Sequence, residues 1–95
     1  MTQQYLIGET SVLLAQLQGA ATDQAHISEA ARLRREAEAT PPPALGPVLL
    51  RAMALTDELC RHSLDRGDVT AFARQCACGA ELREFCACAG LLADG

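Results

Sequence analysis

The residues of this chain best equipped for chemistry are its five cysteines, Cys60, Cys76, Cys78, Cys86 and Cys88. Four of them form two Cys-x-Cys doublets within a near-repeat of ten residues, Cys76-Ala77-Cys78-Gly79-Ala80 and Cys86-Ala87-Cys88-Ala89-Gly90. Soft thiolates in close pairs suit Zn²⁺ or Cu(I), which makes Cys76, Cys78, Cys86 and Cys88 the candidate metal ligands. A helical backbone works against that use. At about 100° per residue the two members of a doublet point about 200° apart, and Cys78 and Cys86 stand about 12 Å apart along the axis. One tetrahedral site with Zn–S bonds of about 2.3 Å does not span that distance, so a metal site and an unbroken helix exclude each other within one chain. A second chemistry is thiol redox, through a Cys60–Cys76 contact or an exposed Cys78 or Cys88. The leading expectation is plainer: free cysteine acts as a small buried hydrophobe among alanines, with no metal and no cofactor.

The other reactive side chains do not assemble into a site on paper. His26 and His62 are the only histidines and lie on different segments. Glu58–His62 has the spacing of an ordinary i,i+4 helical pair, and Glu81 and Glu84 flank Arg83 on what reads as a solvated face. Acid–base catalysis needs a concave, desolvated site, which a compact bundle of Ala and Leu seldom offers. The sequence carries no P-loop, no dinucleotide fingerprint and no zinc-finger spacing, so an enzyme is not expected. Arg66-Gly67-Asp68 is the integrin-recognised tripeptide, but each residue has a structural job at a helix–helix turn. His62-Ser63-Leu64 resembles the phosphopantetheine-attachment tripeptide of peptidyl carrier proteins, a family of small acidic four-helix domains, and would imply attachment at Ser63. In that family the serine opens a long helix, whereas Ser63 closes one, with Gly67 four residues on; the departure sets attachment aside. The doublets are similar to those of the four-helix copper-storage proteins, but that family spaces its cysteines along one helix face.

Charge narrows the partners. Twelve acidic against eight basic residues give a net charge of −4, which disfavours a sequence-independent grip on nucleic acid. Every base is Arg, and Lys and Asn are absent, a composition that looks like the coding bias of a GC-rich bacterial genome. The one dense basic spot, Arg32, Arg34 and Arg35, carries Arg32–Glu36 and Arg34–Glu38 pairs at helical spacing and reads as a solvated face. The segment Met1–Ile7 lacks the basic start of a secretory signal, and no apolar run approaches the roughly 20 residues of a membrane span. The expectation is a cytoplasmic protein with reduced thiols and no membrane partner.

Helices must position all of this. The chain has 95 residues, 49% apolar but only 3% aromatic, so one domain with an Ala/Leu core is expected. No segment alternates like a strand, and apolar residues recur at helical spacing. The reading is all-α: an antiparallel bundle of three to four helices over about 2–21, 23–39, 47–66 and 68–92, with a Pro-rich loop at 40–47. The second helix has a thin stripe of His26, Ile27, Ala30, Leu33 and Ala37, expected to pack loosely or to continue the first. Thr2, Pro47, Gly67 and Asp68 are the punctuation: an N-cap, a first-turn proline, a glycine past a C-terminus and a second N-cap. The turn at Gly67 permits only an antiparallel hairpin, which places Cys60 against Cys76, Leu64 against Val69 or Phe72, and Met53 near Ala80 or Arg83. The last helix is apolar on two sides. One arc holds Val69, Phe72, Ala73, Cys76, Ala80, Ala87 and Leu91; the other holds Ala71, Cys78, Leu82, Phe85, Ala89 and Leu92. A helix apolar on both sides has to be covered on both. The expected function is therefore non-catalytic interaction or regulation, by self-association or with another helical protein, with Cys78, Leu82, Phe85, Ala89 and Leu92 as the interface. The rival is a cysteine-based Zn or Cu(I) site or a thiol redox sensor.

Overall fold

The computed structural model describes residues 2–90. It contains four α-helices, α1 (Gln3–Ala20), α2 (Gln24–Glu38), α3 (Gly46–Asp65) and α4 (Val69–Ala89), with a single 3₁₀ turn at Pro42–Ala44 between α2 and α3. Among the described residues there is no strand. Packing runs around a ring: α1 on α2, α2 on α3, α3 on α4 and α4 back on α1, with little contact across the α1–α3 diagonal. This is the antiparallel bundle that the periodicity predicts.

Each helix end has a local cause. Thr2 Oγ1 accepts from the Tyr5 amide at 3.1 Å and opens α1. Ala21 and Asp23 are extended, with ψ of 139° at both, so α1 and α2 are separate helices and not one bent rod. Nor is α2 loosely packed: Ala30 and Leu33 of its stripe are fully buried. Thr40 Oγ1 donates to Glu36 O at 2.6 Å and closes α2 ahead of the prolines. The proline segment is tied down by Leu45, which is buried in the core. At the hairpin, Gly67 adopts φ +73°, the left-handed conformation that terminates α3, and Asp68 Oδ1 accepts from the Ala71 amide at 3.1 Å to start α4.

One continuous core joins all four helices: Leu13, Leu14 and Leu17 from α1, Ala30 and Leu33 from α2, Leu49, Ala52, Leu55 and Leu59 from α3, Leu82, Phe85 and Cys86 from α4. The surface ion pairs differ from those expected along single helices. Glu36 pairs with Arg51 of α3, Arg32 with Glu29, and Asp57 with Arg83 of α4, while Arg34–Glu38 is present at 3.9 Å. Glu36 and Asp57 find partners on a neighbouring helix that sequence spacing does not reveal, while Arg32 and Arg34 pair within α2. Among the described residues no helix is long and apolar enough to cross a membrane.

Candidate functional site

The α3–α4 hairpin sets its chemistry out as successive rungs. Nearest the turn, Ser63 Oγ donates to Gln75 Oε1 at 2.7 Å. One helical turn further, Cys60 Sγ and Cys76 Sγ stand 3.5 Å apart. Beyond them Thr56 faces Gly79, and Arg83 donates to Asp57 Oδ1 at 2.9 Å. The thiol contact is the register expected from a turn at Gly67. Leu64, Val69 and Phe72 likewise line one small depression of about 30 Å³ beside the turn.

The two thiols are not equivalent. Cys76 is exposed and Cys60 half-buried. Burial pushes the Cys60 thiol up to about 11, helped by its bond to Cys76, the charge of Cys76 and the carboxylate of Asp57, while Arg83 pulls the other way. Cys78, half-buried, is also raised, by burial first and then by Glu81, with Arg74 opposing. Burial alone raises Cys86, which is completely covered; Cys88 is exposed. The backbone is helical without interruption from Val69 to Ala89, so Cys76, Cys78, Cys86 and Cys88 are spread around and along the helix. Among the described residues no three His, Cys, Asp or Glu side chains converge where they could hold a metal ion.

Two of the residues expected at an interface, Leu82 and Phe85, sit where a partner does not reach. Leu82 is fully buried and Phe85 is 7% exposed, both inside the chain's own core, with Phe85 6.5 Å from the Tyr5 ring of α1. Cys78 and Ala89 are half-buried on the same side, and Leu92 and Leu91 lie outside the described residues. The physical reason is that α1 returns alongside α4 and covers this arc. The other arc is the one left outward: Val69 is 75% exposed, and Ala73, Cys76, Ala80 and Ala87 are exposed with it.

Two clusters escaped the sequence reading. The first is a buried clamp on the end of α1. Gln75 has no exposed surface; besides accepting from Ser63, its Nε2 donates to Ala20 O at 3.0 Å, and Arg74 donates to Gly19 O at 3.1 Å. Two adjacent side chains of α4 thus satisfy carbonyls that the end of α1 leaves open. The only available signal was a polar residue on an otherwise apolar arc. The second cluster joins the histidines. His26 and His62 rings meet edge-to-face with centroids 5.5 Å apart, His26 Nε2 lies 3.3 Å from Glu58 Oε2, and Arg66 approaches His62 Nε2 at 3.4 Å. Glu58 therefore serves α2 and not His62 on its own helix. Ser63 is 2% exposed and engaged with Gln75, which agrees with its departure from the carrier-protein pattern.

The fold and the site together define a small four-helix bundle whose distinctive feature is a thiol pair across one helical hairpin. Comparison with protein-family models, with curated proteins and with solved structures gives no match.

Proposed function

We propose that this chain is a non-catalytic helical-bundle protein that acts through protein–protein contact, as a homodimer formed on the outer flank of the α3–α4 hairpin. The observation that carries the reading is the apolar surface left there: Leu64 at 63% and Val69 at 75% exposure flank the turn, and Ala73, Ala80 and Ala87 continue the flank along α4. Contiguous exposed apolar surface marks contact sites, and Leu64 and Val69, the two most exposed of the described large hydrophobic residues, line one depression beside the turn. A stable interface takes about 800 Å² from each partner, roughly one-seventh of this chain's 5444 Å². On a body measuring 40 × 24 × 21 Å, such an interface has to run along a helix, as this flank does.

Light scattering of the reduced protein from low micromolar concentration upwards tests the proposal. The expected mass rises towards twice 10.1 kDa as the concentration is raised to high micromolar, with Val69→Glu plus Ala80→Glu giving a monomer of unchanged helical circular dichroism. A wild-type mass of 10.1 kDa up to high micromolar concentration refutes the dimer. A dimer that survives both substitutions refutes this flank as its interface.

A further inference from the structure

We propose that Cys60 and Cys76 are a reversible thiol–disulfide modification site, closed by a low-molecular-weight disulfide of the glutathione type. The proposal does not need the dimer: Cys76 lies on the flank proposed for it, so the thiol reacts in the monomer with which an exchanging dimer is in equilibrium.

Geometry is its foundation. The sulfurs are 3.5 Å apart, and a disulfide bond is about 2.05 Å, so closure requires an approach of about 1.5 Å. The helices that carry them are already held in register on both sides of the pair, by Ser63–Gln75 at 2.7 Å and Asp57–Arg83 at 2.9 Å. Closure is expected to proceed by side-chain rotation within that register. Among the described residues, Cys60 and Cys76 are the one pair of cysteines in sulfur–sulfur contact; Cys78, Cys86 and Cys88 share the same helix and diverge around it.

Access orders the steps. The exposed Cys76 sulfur, as thiolate, attacks one sulfur of the external disulfide, forming a mixed disulfide and releasing one small thiol. The half-buried Cys60 sulfur then attacks Cys76 Sγ and expels the second small thiol. The protein loses two electrons and two protons, and the external disulfide is reduced to two thiols that carry them away. The high proton affinity of the Cys60 thiol makes the second step the slower one near neutral pH. Part of that affinity comes from the bond to Cys76 and from its charge, both of which disappear once Cys76 is in a mixed disulfide; burial and Asp57 remain. Reduction by excess small thiol reverses the sequence. Cys88, exposed and with no thiol beside it, stops at a mixed disulfide because nothing resolves it.

The test is incubation of the fully reduced protein with oxidised glutathione, followed by acid quench, trypsin digestion and mass spectrometry. The expected product links peptides 52–61 and 75–83, which cleavage at Arg51, Arg61, Arg74 and Arg83 releases. Because 75–83 contains both Cys76 and Cys78, the Cys78→Ser variant has to give the same link. Melting temperature is expected to rise by at least about 5 °C on oxidation and to return with dithiothreitol. Cys60→Ser is expected to accumulate glutathione on Cys76, and Cys76→Ser to abolish the link while leaving Cys60 reduced. A link through Cys78, Cys86 or Cys88, covalent dimers as the main product, or persistent glutathione on Cys76 with Cys60 free in the wild type would overturn the proposal.

Discussion

Replacing Gln75 by Leu tests whether the buried amide holds the hairpin and the end of α1 together. The side chain has no exposed surface and makes two hydrogen bonds, to Ser63 Oγ at 2.7 Å and to Ala20 O at 3.0 Å. Each neutral bond contributes about 1 kcal/mol net, and a partner stranded in the interior adds about 1–3 kcal/mol of lost solvation. Ser63 and Ala20 are each 2% exposed, so water does not replace the amide without structural opening. Leucine offsets part of the loss with about 1–2 kcal/mol of added apolar burial. The expected net effect is destabilisation by about 2 kcal/mol, a sizeable share of the 5–15 kcal/mol of an ordinary domain. Urea denaturation at 25 °C is the assay, with the midpoint lowered at unchanged m-value. The double variant Ser63→Ala/Gln75→Leu is expected to lose less than the sum of the single variants by about 1 kcal/mol, because no hydroxyl is left stranded. A Gln75→Leu variant within 0.5 kcal/mol of wild type, or a cycle with no coupling, would show that apolar packing alone sets the register.

Three further tests probe the glycines and the thiols. Gly8 lies inside α1 with no atom within 4 Å of an added Cβ, so Gly8→Ala should stabilise by about 0.5–1 kcal/mol, whereas Gly67→Ala, at φ +73°, should cost about 1–2 kcal/mol; urea midpoints check both. Gly79→Ala should not share the gain at Gly8, because its Cβ would meet Thr56 Oγ1 at 3.2 Å and that hydroxyl is tethered to Met53 O at 2.6 Å; a gain equal to that at Gly8 would show that Thr56 moves aside. Stability should also fall in alkali. The folded state holds the Cys60 proton up to about 11, and Cys78 and Cys86 are raised as well, so their contribution is complete below the ordinary thiol pKa of about 8.5 and is lost as pH climbs towards 11. Urea midpoints at pH 7 and pH 10 should differ in that direction, and less so in Cys60→Ser.

The hairpin was legible because its information is local. Gly67 and Asp68 fix a tight turn, and once the turn is fixed the distance of Cys60 and Cys76 from it determines that they meet. The breaks at Thr2 and at the prolines are local in the same way. What lay beyond sequence reasoning is what depends on ring order. His26 meets His62 only because α2 packs on α3, and Glu58 turns to His26 because that packing brings a ring closer than the i,i+4 geometry on its own helix does. Gln75 gives no signal of its partners in the sequence because they are a hydroxyl 12 residues away and a backbone carbonyl 55 residues away. No periodicity reports a carbonyl, since every residue has one.

The exchange of the two arcs of α4 follows from side-chain size. Counted by apolar positions the arcs are similar and each carries a Phe and a Leu, but in the middle of the helix one arc holds only Cys76, Ala80 and Ala87 where the other holds Leu82 and Phe85. Burying a Leu or Phe side chain stabilises by about 1.5–3 kcal/mol, and a methyl group by much less, so a bundle with α1 available to cover one arc covers the arc with the large residues. Among the described residues the exposed part of the remaining flank is Ala73, Cys76, Ala80 and Ala87, with Val69 at its end. Such a surface contributes little per residue, but its small side chains let a second helix approach to the short end of the usual 8–10 Å spacing. A dimer built on it gains from close packing over the length of the helix and lacks large hot-spot anchors along most of it. It should therefore be a micromolar, exchanging dimer whose affinity concentrates at the Leu64–Val69 end, where Val69→Glu alone should weaken it more than Ala87→Glu.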